Sequence, residues 1–152
     1  MKKALVGIAS AVLMSAAVLV APAAHAVQNM IGNYNMIIPD RYDFHTWIWA
    51  NSPCIGGPKP PDCIHVTNIA QPIAKAVNYE GDAYLVDGRY TLTVDDPYGL
   101  RCGNVYYGPT SQTHDVYSWD GNTLAGTLTS TFDAGCDGQP GTLTYPIWLT
   151  RL

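Results

Sequence analysis

Two alternating runs joined by an Asp-Gly pair do most to restrict how this chain can fold. They are Ala83-Tyr-Leu-Val86 and Arg89-Tyr-Thr-Leu-Thr-Val94, on either side of Asp87-Gly88. Asp-Gly suits a two-residue hairpin loop, whose central residues both need positive φ. With that loop, Leu85 faces Tyr90 and Ala83 faces Leu92, all four on one side. Tyr84 with Thr91 and Val86 with Arg89 take the other. A slip of one residue would send the apolar set to the wrong face, so the pattern predicts one register.

The same logic extends through the second half. Around Trp119-Asp-Gly-Asn122, Tyr117 and Trp119 alternate with Val116 and Ser118. Leu124, Gly126, Leu128, Ser130 and Phe132 share a side against a row of threonines, which suits the wet face of an antiparallel sheet. A turn at Asp120-Gly121 or at Gly121-Asn122 leaves these faces unchanged. The last strand, Leu143 to Arg151, turns Leu143, Tyr145, Ile147 and Leu149 inward, with Pro146 pointing to an edge or a bulge.

Upstream, Tyr34 to Ile38, Asp43 to Asn51 and Cys63 to Ile69 read as strands, with weaker candidates at Ile73 to Tyr79 and Asn104 to Tyr107. The one helical candidate is a short turn at Gln71 to Ala76. About eight or nine strands separated by Gly, Pro and Asp predict a single all-β antiparallel domain over residues 27–152. It is a β-barrel or a β-sandwich.

Residues 1–26 have a different character. Lys2 and Lys3 precede an apolar run from Ala4 to Val20, and Ala24-His25-Ala26 offers a small-x-small cleavage site. This is the layout of a secretory signal peptide, which predicts cleavage after Ala26 and a secreted or envelope location. No second segment is apolar enough to span a bilayer. Without Lys2 and Lys3, six basic residues remain against twelve acidic ones, a net charge of −6. Such a surface with no Lys/Arg cluster argues against nucleic acid as a partner. Most of the aspartates adjoin Gly, Pro or Asn, where they cap turns.

Four cysteines in an exported chain predict two disulfides out of three possible connectivities. Cys54 and Cys63 bracket a Gly/Pro-rich segment that reads as a stapled loop, leaving Cys102 to pair with Cys136. No C-x-x-C or common zinc spacing occurs, so neither a metal nor a cofactor is expected.

Catalytic constellations are missing from the pattern. None of the serines lies in a G-x-S-x-G elbow. His114 and Asp115 are adjacent, so on a strand they point to opposite faces. Asp43, Asp82, Asp95 and Asp115 are simplest as turn or strand-end residues. Asp95-Asp96 and Asp133 with Asp137 fit no EF-hand loop. The most suggestive stretch is Phe44-His-Thr-Trp-Ile-Trp49, which sets His45, Trp47 and Trp49 on one side of a strand. These three are the candidate ligand-binding residues, as indole faces stack on sugar rings or apolar molecules. A central strand buried on both sides explains the same stretch.

Tyr42 to Ala50, Ala83 to Thr93 and Tyr117 to Leu124 together resemble small secreted proteins of mycobacteria. That resemblance implies export across an actinobacterial envelope and two disulfides, and it transfers no active-site residue. Gly32-Asn33-Tyr34 is similar to the G-x-W opening of lipocalins but lacks the tryptophan. The combined expectation is a secreted, non-catalytic β domain that binds a partner such as an envelope or host protein, a glycan or a lipid. A lipocalin-like carrier of a small apolar or glycan ligand is the alternative, and a secreted hydrolase the third.

Overall fold

The computed structural model describes residues 27–39, 47–70, 77–103 and 108–152. His45, the helical candidate at 71–76, the strand candidate at 104–107 and the leader at 1–26 lie outside the described residues. Eight strands run in chain order: β1 Gly32–Ile37, β2 Trp47–Pro53, β3 Cys63–Ala70, β4 Glu80–Val86, β5 Arg89–Arg101, β6 Thr110–Asp120, β7 Ala125–Phe132 and β8 Gly141–Arg151. Each pairs antiparallel with the next, and β8 returns to β1, so the sheet is a closed barrel. The choice between barrel and sandwich is thereby resolved.

The Asp87-Gly88 hairpin has the register that its pattern dictates, with Leu85 opposite Tyr90, Tyr84 opposite Thr91 and Val86 opposite Arg89. Asp87 and Gly88 both have positive φ, at 50° and 79°, as a type I′ loop requires. The second turn is longer than either two-residue option. Trp119 opposite Gly126 is the last register pair, and residues 121–124 connect β6 to β7. Asp120 explains the extra length. Its Oδ1 accepts the N–H groups of Asn122 and Thr123 at 2.9 and 2.8 Å, and Leu124, at φ 61°, donates back to the Asp120 carbonyl. The same bonds hold the Asp120 carboxyl below the usual carboxylate range. Parity survives the longer loop, so Leu128 and Ser130 remain inside.

Pro146 lies in a strand that has two neighbours but pairs with them unevenly. β8 meets β7 along Gly141 to Trp148, whereas its described register with β1 covers only Trp148 to Arg151. Among the described residues Pro146 therefore has a ladder partner on the β7 side only, a position where a missing N–H is tolerated.

Inward side chains build the core of the barrel. Toward the end where β4 turns into β5 they are aromatic. Trp49 meets Tyr117 edge-on and Trp119 at a tilt, both at 5.2 Å between ring centres, and Tyr90 stacks on Trp119 at 5.3 Å. Offset and edge-on pairs are the arrangements that ring quadrupoles favour. This aromatic end is covered. Met30 is fully buried, Tyr34 Oη donates to the Asn29 carbonyl, and Tyr90 Oη donates to the Pro61 carbonyl at 2.7 Å. Burial, with Asp62 and Tyr34 nearby, pushes the Tyr90 phenol up to about 12.

Both expected disulfides are present. Cys54–Cys63 closes the Gly/Pro loop over the aromatic end, and Cys102–Cys136 joins the β5–β6 and β7–β8 connections at the opposite end. Two disulfides and no free cysteine among the described residues suit an oxidising, extracellular-type environment.

Candidate functional site

At the end away from Pro61 the interior changes chemistry. Alternation along β6 puts Thr113, Asp115, Tyr117 and Trp119 inward, so the strand passes from hydroxyl and carboxylate to phenol and indole. Asp115 is 0% exposed and stands in register between Val94 of β5 and Ser130 of β7. Directly opposed residues of this kind have Cβ atoms about 5 Å apart. Ser130 and Thr113 are also buried. Among the described residues neither Asp115 oxygen has a hydrogen-bond partner, nor do Ser130 Oγ, Thr113 Oγ1 or Asn68 Oδ1. Unpaired buried polar atoms are uncommon, and a carboxylate in that state is the most costly kind.

The barrel wall is also incomplete beside these residues. The β6–β7 register ends at His114 opposite Thr131, yet β6 continues to Thr110 while paired to β5. A cleft of about 540 Å³ occupies this splay. It is lined by Ser111, Thr113 and His114 from β6, by Thr131 and Phe132 from β7, and by Asp95 and Asp133 among others. Thr113 belongs to both the cleft and the interior, and Asp115 is the next inward residue on its strand. The Cys102–Cys136 bridge ties together the two connections that flank the splay.

Outside, Asp95 Oδ1 and His114 Nδ1 are 2.8 Å apart and exposed. They are register partners on β5 and β6. His65 and Asp82 repeat this arrangement on β3 and β4, at 2.7 Å, with Glu80 Oε2 3.8 Å from the other ring nitrogen. His114 and Asp115, neighbours in sequence, face outward and inward respectively, as strand geometry requires.

Of the sequence-derived ligand residues, Trp47 and Trp49 both point into the barrel and are buried. Trp49 Nε1 donates to Tyr79 Oη at 3.2 Å. Two of the aspartates weighed for calcium bond local backbone instead: Asp96 Oδ1 accepts from Tyr98 N–H, and Asp137 Oδ1 from Gln139 N–H. Cys54, Cys63 and Asp82 converge as potential metal donors, but both sulfurs are bonded to each other and leave no thiolate. The pattern did contain a signal for the polar layer, since Asp115 and Thr113 have the parity of Tyr117 and Trp119. Comparisons with protein-family models, curated proteins and solved structures find no match to this chain.

Proposed function

We propose that this is an exported, non-catalytic binding protein that admits a small polar ligand through the β6–β7 splay into the polar end of its barrel. The observation that supports this reading best is the buried, unpartnered group of Asp115, Ser130 and Thr113, of which Thr113 also lines the cleft. Ligand sites typically combine apolar walls with a few convergent polar groups, and barrel mouths are a common place for them. Tyr117 and Trp49 form the aromatic floor beneath the polar layer. Trp47, at the start of β2, belongs to the same wall, and His45 precedes it in sequence. The leader pattern of residues 1–26, the two disulfides and the resemblance to mycobacterial exported proteins support a role in the envelope or outside the cell.

The test is a panel of sugars, amines, polyols and envelope lipids titrated against oxidised protein comprising residues 27–152. Tryptophan emission and thermal midpoint are the readouts. A ligand at a hundred times its Kd stabilises by about 2.7 kcal/mol, enough to move the midpoint by several degrees. Ser130→Leu and Thr113→Val, which remove the hydroxyls, should fold and lose the response. If they titrate like the wild type, the site is elsewhere.

The Asp95–His114 pair favours a second reading, a hydrolase using the cleft. Against it, the pair is a cross-strand contact of a kind that His65 and Asp82 repeat on β3 and β4, outside the lining of this cleft. Turnover in a hydrolase panel that His114→Ala abolishes would overturn the non-catalytic view.

A further inference from the structure

Resting on that reading, we infer that the ligand is a small organic cation whose primary ammonium group binds Asp115. The argument begins with charge. Asp115 is the only carboxylate among the described residues whose oxygens are both buried and unpartnered. The other groups in that condition near the aromatic rings, Asn51 and the Trp119 indole N–H, are neutral. An ionised carboxylate removed from water requires donors or a countercharge.

The neighbours select the kind of cation. Ser130 lies directly across from Asp115 and Thr113 two residues before it, each with a free hydroxyl oxygen facing the same interior. An ammonium group has three N–H donors, matching one carboxylate and two hydroxyls. A divalent ion wants six or more hard oxygens, and no carboxylate or histidine cluster of three forms around Asp115 among the described residues. Below Asp115 the wall is aromatic: Tyr117 stacks with Tyr79 at 5.9 Å and contacts Trp49. Aromatic faces attract cations and accept an apolar body, so the ligand carries its charge at one end only. The approach agrees in sign, because Asp95 and Asp133 line the cleft outside Thr113.

The experiment compares benzylammonium with benzyl alcohol, close in shape but uncharged, on oxidised protein at neutral pH and low salt. Binding is read by calorimetry and by tryptophan emission. Benzylammonium should bind at least tenfold more tightly than the alcohol, and Asp115→Asn should weaken it by about tenfold or more, the scale of a charge-assisted hydrogen bond. Ser130→Ala, a milder change in case Asp115→Asn does not fold, should weaken it severalfold. Equal binding of the two probes, or amine binding unchanged in a folded Asp115→Asn, overturns the inference. If a neutral member of the wider panel binds and loses its site in Ser130→Leu while amines do not bind, the splay remains the entrance and the cation assignment falls. If nothing binds, both fall.

Discussion

Tyr90 has its ring in the aromatic stack and its hydroxyl on the loop that covers it, so one atom links the core to the Cys54–Cys63 segment. Tyr90→Phe should cost about 1 kcal/mol in urea unfolding, the net worth of one hydrogen bond. Its titration adds a signed test. The folded phenol ionises near 12 and the unfolded one near 10, so the unfolded state loses its proton first as pH rises. Stability should therefore hold below pH 10 and fall between 10 and 12, by on the order of 1–2 kcal/mol after screening. Tyr90→Phe should flatten that limb. Asp120 has the opposite sign. Its carboxyl is lowered by the Asn122 and Thr123 N–H groups, so its contribution is present at neutral pH and lost as pH falls through the folded value. Asp120→Asn should shrink that acid-side loss. At this scale parity was legible: Asp115 and Thr113 could be placed inside from Tyr117 and Trp119 alone. The absence of partners for Asp115 was not legible, because it depends on β5 and β7 arriving on either side.

Short hairpins were readable from sequence because their loops specify register chemically, and longer connections were not. The Asp87-Gly88 loop needs two positive φ angles and contains the residues that tolerate them. Gly88→Ala meets no atom within 4 Å, so its expected cost of about 1 kcal/mol is backbone strain alone, checked by denaturant midpoint. Gly126 is a different case. A Cβ there would collide with the Ser118 carbonyl and sit 2.6 Å from Trp119 Cα, both backbone atoms that cannot step aside. Gly126→Ala should therefore destabilise by about 3 kcal/mol or more, or force β6 and β7 apart. The β5–β6 pairing shows the limit of reading pattern. Its register shifts between Asp96 and Leu100, and that bulge carries β5 to Arg101, well past Val94 where the alternation fades. Asp95 beside His114, and the splay above His114, follow from this register, which no local turn motif announces.

At the scale of the molecule, two covalent ties secure the two ends. On the chain-entropy model the bridges close loops of separation 9 and 34, worth about 3 and about 4 kcal/mol. Replacing Cys102 and Cys136 by serine should cost the larger amount and, if the splay is the entrance, weaken ligand binding as well. Replacing Cys54 and Cys63 should cost the smaller amount and leave binding nearly unchanged. Calorimetric melting with parallel titration checks both. The barrel's closure has a consequence for when the molecule can form. Tyr34 pairs with Arg151 and the Leu152 amide bonds to the Asn33 carbonyl, so the first strand waits for the last. A chain without residues 141–152 has no way to complete its ring of ladders. Such long-range pairing is slow.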